Sequence, residues 1–386
     1  MPWSPGDPSI RALWTLDPEV VFLNHGSFGA TPRRVLEAQT AWRARLEREP
    51  VLFLARDLPE LARVVRERVA TFLGADPAGL VPIGNATTGV ATVLANLDWQ
   101  AGDEIVLADS AYFAVKQACR ALADRYGVRV VEAVVPFPIE RPAQATAAFV
   151  AAMTERTRLV IVDHVVSALA IVLPVGEIVA AAHARGITVL VDGAHGPGQL
   201  PLDLDTIGAD FYTGNLHKWV CSPKGTAILY AAAPWRDRLH PLAISHHYKS
   251  GLHAEFDWTG TTDPSAWLAV SDAMDVLAEL GWDALRANNH ASVQRGRTLV
   301  AEALGATLPH PDDPALYGSM AVIPVDWATT TGARPAELTA RLYEQHRIEV
   351  PFTTYDERVW VRISGQAYNA PSDYARLAEV LRTWRG

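Results

Sequence analysis

Two neighbouring segments decide the reading: Val191-Asp192-Gly193-Ala194-His195, closing an apolar run, and Phe211-Tyr212-Thr213-Gly214-Asn215-Leu216-His217-Lys218-Trp219. An acid, an imidazole and an amine follow in that order. A carboxylate at a strand end can hydrogen-bond a protonated pyridine nitrogen, and the positive ring then stabilises a carbanion at an amino-acid α-carbon. Asp192 is the candidate for that task. Lys218 lies 26 residues later, enough for one crossover and a returning strand, so its amine can reach the other end of the ring and bind it as an imine. Desolvation and nearby positive charge lower the pKa of such an amine, making it a nucleophile toward an aldehyde and a base once released. Singly, Asp192 reads as a helix cap and Lys218 as a surface lysine. The ordered set points to a covalent cofactor.

On either side of this stretch, short β-branched runs alternate with longer amphipathic ones. Glu104–Leu107, Val128–Val135, Arg158–Val162, Ile187–Val191 and Thr226–Tyr230 read as strands. Such alternation implies parallel neighbours in a doubly wound α/β sheet, with ligands beyond the carboxyl ends of the strands. After about Pro264 long helical patterns run through Leu280 and from Asn288 to Leu304. Strand-like Met320–Ile323, Ile348–Val350 and Val359–Ile363 follow them. The expected division is a large α/β domain over residues 50–260 and a smaller α+β domain from 1–49 and 261–386. A helix is expected from Thr31-Pro32, with the threonine as cap and the proline in the first turn.

Composition narrows the function classes. The 386 residues exceed what one core usually supports, and 49% hydrophobic against 20% charged residues describes a folded globular protein. A net charge of −9 without a Lys/Arg block argues against nucleic acid. Only Cys119 and Cys221 occur, too few for a disulfide framework or a thiolate metal site, and this suits a reducing, cytoplasmic setting. Signal-peptide and membrane-spanning patterns are not expected: the most apolar run, Val165–Val175, is too short and reads as buried interior. No G-x-G-x-x-G follows the first strand of the series, which disfavours a dinucleotide fold.

Several further segments complete a pattern. They are Phe22-Leu23-Asn24-His25-Gly26-Ser27-Phe28-Gly29, Asn85-Ala86-Thr87-Thr88, Trp258-Thr259-Gly260-Thr261-Thr262-Asp263-Pro264 and Val361-Arg362-Ile363-Ser364. With the two central segments they resemble class V aminotransferase-like enzymes of the aspartate-aminotransferase fold (fold type I), and in particular the isopenicillin N epimerase family with its C–S lyase relatives. The resemblance spans nearly the whole chain and implies pyridoxal 5'-phosphate on Lys218. It implies that Ala86, Thr87 and Thr88 hold the phosphate at a helix N-terminus, a place suited to anions, with His217 beside them. Tyr112 would stack on the ring, and His195 would meet its phenolic oxygen. Thr261 or Thr262 would reach the phosphate of a neighbouring subunit in a homodimer with shared sites. Arg362, with its planar fork, would clamp the substrate carboxylate together with Asn24 and His25.

The expected substrate is a small amino-acid derivative, and no metal is called for. The expected reaction is at its α-carbon, with Lys218 removing the proton to give a carbanion. A second acid would make the outcome epimerisation, with Tyr112, His164 and Tyr248 as candidates. A sulfur leaving group would make it β-elimination. Transamination and binding without turnover are the alternatives. His164 and Ser167 end another strand near the ring. Val166, Ala168 and Ala91 depart from the family pattern at positions expected near the cofactor or substrate, and substrate choice is expected in loops at His246-His247-Tyr248 and Tyr355-Asp356.

Overall fold

A computed structural model describes residues 3–386. After the short strand β1 (Val21–Phe22) come β2 (Leu80–Ile83), β3 (Glu104–Ala108), β4 (Arg129–Ala133), β5 (Thr157–Asp163), β6 (Thr188–Asp192), β7 (Phe211–Asn215) and β8 (Ala227–Ala231). These last seven form one sheet in the order β2-β8-β7-β6-β5-β3-β4. Neighbours from β4 through β7 pair parallel; β8 alone runs antiparallel, to both β7 and β2. The five strands expected from the alternation are present within a residue or two, except that β4 is shorter than Val128–Val135.

Burial explains why three of those five, β3, β5 and β6, were legible. Parallel strands covered on both faces read as continuous apolar runs, and Ile105–Ala108, Leu159–Val162 and Val189–Val191 are at most 1% exposed. Strand β7 is buried throughout yet carries Tyr212, Thr213, Gly214 and Asn215, so it lacks that signature. Helices Phe113–Tyr126, Ala143–Ala152 and Val175–His183 make the crossovers.

Strands β9 (Met320–Pro324), β10 (Ile348–Glu349), β11 (Phe352–Tyr355) and β12 (Arg358–Ser364) lie in the last third of the chain. β11, β12 and β9 form an antiparallel sheet, and β10 pairs parallel with β1, tying the N-terminal segment to this region. Helices Trp282–Leu304 and Pro371–Thr383 pack with it around Val293, Val300, Val361, Ile363, Leu377 and Leu381. Trp267 to Val276 lie beyond the expected boundary at 260 yet pack into the core of the large sheet, as does Val35.

The expected cap at Thr31 is absent. Pro32 holds the N-cap position of helix Arg33–Arg48 without a side-chain cap bond, and the Thr31 hydroxyl donates to the Ser222 carbonyl at 3.1 Å. Gly29 is required by its surroundings: its φ is +70°, and a Cβ there would lie 2.1 Å from the His217 carbonyl oxygen. The segment Asn24–Gly29 therefore packs directly on the backbone that carries Lys218. Among the described residues no helix is long and apolar enough to cross a membrane.

Candidate active site

The carboxyl ends of β5, β6 and β7 deliver Asp163, Asp192 and Asn215 to one cavity of about 180 Å³. Ser27, Phe28, Ala86, Thr87, Tyr112, Ala194, His195, His217 and Lys218 also line it. Asp192 is 4% exposed, and one oxygen accepts the Ala194 N–H at 3.0 Å. Burial raises its pKa, opposed by that bond and by Lys218. Its register partner Asp163 is equally buried, and burial together with the Asp192 charge pushes its pKa well up. Burial raises both carboxyls, and Asp163 carries the Asp192 charge in addition.

Lys218 follows β7, its amine 3.1 Å from His195 Nε2. Desolvation, then the Arg362 charge, lowers its pKa to about 7, with Asp192 opposing. Above that pH it is a free amine. His195 is 2% exposed, and burial with surrounding cations holds its pKa well below the usual imidazole value.

The N-terminus of helix Ala86–Asn96 opens on the same cavity. Asn85 caps it, accepting from the Thr88 N–H at 2.9 Å and the Thr88 hydroxyl at 3.1 Å. Asn215 takes the Ala86 N–H at 2.9 Å. The Thr87 N–H and hydroxyl are thus the donors left free to meet an anion. His217 anchors Nδ1 on the Thr226 carbonyl at 2.9 Å, and burial lowers its pKa to about 4.

An adjoining cavity of about 450 Å³ shares Ser27, Phe28, Tyr112, Ser167 and Lys218 and adds Arg362 from β12. Arg362 is 4% exposed. It donates to the Ser167 carbonyl at 2.6 Å, the Ser167 hydroxyl at 3.2 Å, the Ser27 hydroxyl at 2.9 Å and the Asn24 amide oxygen at 3.4 Å. All are neutral. Burial brings its pKa down to about 10. A desolvated guanidinium beside a lysine, with no carboxylate of its own, is a place for a carboxylate ligand.

Other expected residues lie elsewhere or act differently. Both ring nitrogens of His25 are committed, Nδ1 to the Tyr368 hydroxyl at 2.8 Å and Nε2 to the Lys218 carbonyl at 2.9 Å. It props the lysine's backbone rather than the carboxylate pocket. His164 Nδ1 meets the Tyr212 hydroxyl at 3.1 Å and lines neither cavity. His246, His247 and Tyr248 are exposed on a loop outside both cavities, whereas Tyr355 borders the larger one and donates to Asp109 at 2.8 Å. Thr261 and Thr262 are exposed, with Thr262 on a separate groove beside Gly84 and Trp258. Val166 is interior core and Ala91 borders a groove with Trp99, so of the three departures only Ala168 faces the site. Ser27, Asp163 and Asn215 were missed as site residues. Ser27 and Asn215 stood inside quoted motifs without a role, since Asn215 acts through a contact with a distant helix, and Asp163 was hidden at the end of an apolar run.

The chain matches the aminotransferase class-V family model over residues 29–341. It is 38% identical to an isopenicillin N epimerase of Streptomyces clavuligerus, over 97% of this chain and 98% of that protein. It belongs to the class-V aminotransferase family. It is 34% identical to a putative L-cysteine desulfhydrase of Oryza sativa subsp. japonica, covering 94% and 82% of the two chains. A solved structure of a mutant of C-DES, with glycine covalently linked to its pyridoxal phosphate cofactor, superposes with TM-score 0.78 at 25% identity, covering 95% and 97%. As a family member the chain is a pyridoxal-phosphate enzyme of fold type I, and its residues fit that group: a low-pKa amine, a buried carboxylate with no arginine partner and free donors at a helix N-terminus.

Proposed function

We propose that this enzyme removes the α-proton of an amino acid bearing sulfur on its β-carbon and releases that sulfur, as a C–S lyase, with α-carbon epimerisation as the second reading. The observation that carries it is the position of Lys218. A single amine with a pKa of about 7 stands where the cavity holding Asp192 and His195 joins the one holding Arg362.

Bound pyridoxal phosphate supplies an electron-withdrawing ring that acidifies the α-proton of an attached amino acid. Asp192 would hold the ring nitrogen, His195 the ring oxygen, Tyr112 a ring face, and Thr87 the phosphate; His217, whose Nδ1–H is spent on the Thr226 carbonyl, lines the same cavity. Lys218 would be the point of attachment. Arg362, steadied by Ser167, Ser27 and Asn24, takes the substrate carboxylate and so fixes which bond at the α-carbon faces Lys218. The freed amine then accepts the α-proton.

Elimination needs no second base at the α-carbon, and this site offers one well-placed amine, which supports the lyase. Epimerisation needs a proton donor on the opposite face. With His164 and Tyr248 outside the cavities, Tyr112, which borders both, is the group for that role. The relatives named for epimerisation and desulfhydration support both readings. We also propose a homodimer in which the exposed Thr261 and Thr262 serve the partner's phosphate, a role they do not play toward the Lys218 cavity of their own chain.

The test is incubation of holoenzyme in deuterated water with L-amino acids and S-substituted cysteines, followed by mass spectrometry. Thiol and keto acid without an added acceptor are expected. Deuterated D-isomer without fragmentation would replace the lyase by the epimerase, keto acid formed only with an acceptor would make it a transaminase, and no exchange at all would sink both readings.

A further inference from the structure

Trp219 is 1% exposed, in an apolar cluster with Val165, Ala170, Met320, Val322 and Trp360, and its sequence position suggests packing alone. Its indole also enters the site's hydrogen bonding. Nε1–H donates to His195 Nδ1 at 3.3 Å, and the opposite nitrogen of the same imidazole, Nε2, lies 3.1 Å from Lys218 Nζ. An indole N–H donates and never accepts. The His195 nitrogen facing it must therefore offer a lone pair.

A neutral imidazole has one proton to place, so with Nδ1 accepting, that proton sits on Nε2. Burial first, and then the charges of Lys218 and Arg362 with smaller effects of His25 and His217, keep the His195 ring neutral. Nε2–H then points at the lysine nitrogen, which can accept only as an uncharged amine. We propose that Trp219 is a positioning residue which, through His195, presents Nε2–H to Lys218 and holds the lysine in its nucleophilic, neutral form. Without the indole donor, His195 can carry its proton on Nδ1 and turn the Nε2 lone pair toward Lys218, which favours the ammonium. Burial and then Arg362 act on the amine in the same sense as the relay and Asp192 against it, so the relay adds to a balance already set by desolvation and those charges. His25, whose ring lies 4.8 Å from the indole and whose Nε2 meets the Lys218 carbonyl, braces both ends.

The role in catalysis rests on Lys218 being the attachment lysine, whereas the tautomer does not. The first measurement is ¹⁵N NMR of imidazole-labelled apo protein, with the His195 signal identified by its loss in His195→Gln. A protonated Nε2 and bare Nδ1 are expected; a protonated Nδ1 overturns the proposal without any tryptophan variant. The second is the pH dependence of the rate at which Lys218 binds pyridoxal phosphate, read by absorbance. Trp219→Phe keeps a ring but no donor, and its midpoint is expected to rise by about one pH unit, the worth of one ordinary hydrogen bond. A folded Trp219→Phe protein with an unmoved midpoint overturns the relay. If wild type gives no lysine-bound absorbance at all, the lysine assignment falls instead, and the NMR result still decides the tautomer.

Discussion

Arg66 and Arg362 are nearly equally buried, at 3% and 4% exposure, and they differ in what they face. Arg66 reaches the Asp257 carboxylate, with one Nη2–oxygen distance of 2.6 Å, so its charge is neutralised within the fold. Arg362 has four contacts to neutral oxygens and no acidic partner. Desolvating a guanidinium is costly unless an anion compensates. In one case the fold supplies the anion; in the other the compensation has to arrive from outside. The difference separates a residue that closes the structure from one that waits for a ligand, which burial alone does not do.

The largest effect that can break this comparison is kinetic. Arg362→Ala should lower kcat/KM by roughly 100-fold or more, mainly through the KM of the amino acid, because a carboxylate would enter a site without its cation. Cofactor affinity should change far less. Arg66→Ala should leave kcat/KM per folded molecule unchanged, and steady-state kinetics on the two variants checks both statements.

Stability should respond with opposite signs. Arg66→Met strands Asp257 and should cost about 3 kcal/mol in denaturant unfolding. Arg362→Met removes an uncompensated cation and should stabilise the apo protein by about 1 kcal/mol, since apolar replacement of buried charge is often favourable. Destabilisation of similar size in both would mean that Arg362 is structural after all.

Lys218 extends the contrast, since its lowered pKa records the same shortage of compensation. Its folded value is about 7 against an ordinary 10.5. The unfolded chain therefore binds more protons between those limits, and the folded apo protein gains stability as pH rises from 7 to 10.5. Below pH 7 both states are protonated and the cost is constant. Lys218→Met should thus raise apo stability most below pH 7, by roughly 2 kcal/mol after allowance for its contact with the open cavity. The advantage should vanish toward pH 10.5. Thermal unfolding of both proteins from pH 6 to 10 reads it directly.

What the sequence revealed follows the same division. Asp192 and Lys218 stood out because an acid closing an apolar run and a later lysine suit covalent cofactor chemistry, and Arg362 stood out through the family resemblance; the fold brings all three to two adjoining cavities. The parallel strands β3, β5 and β6 were legible from their apolar runs. The reversal of β8 was not, because Ala227–Ala231 reads alike in either direction. His25 and His164 looked like site residues because their type suits chemistry, and only three-dimensional partners, Tyr368 and Tyr212, reveal that their nitrogens face inward. Trp219 carried no role in the sequence for the converse reason: an apolar side chain hides a single polar atom whose partner lies on another strand's end.

The smallest test concerns Thr87 and Thr88, which repeat the arginine contrast with neutral groups one residue apart. The Thr88 hydroxyl already donates to Asn85 at 3.1 Å and supports the helix cap. Thr87 lines the cavity with its hydroxyl uncommitted. A hydrogen bond to a charged acceptor is worth more than one between neutral groups, about 1.5 kcal/mol or above. Thr87→Val should therefore weaken pyridoxal phosphate binding about tenfold with little change in apo stability. Thr88→Val should do the reverse, lowering apo stability by about 1 kcal/mol through the damaged cap while changing cofactor affinity little. Equilibrium binding of the cofactor beside thermal unfolding of the apo proteins checks the pair. Equal losses of affinity would mean that the cap opens to receive the phosphate, and the distinction between committed and waiting donors would then fail at this end of the site.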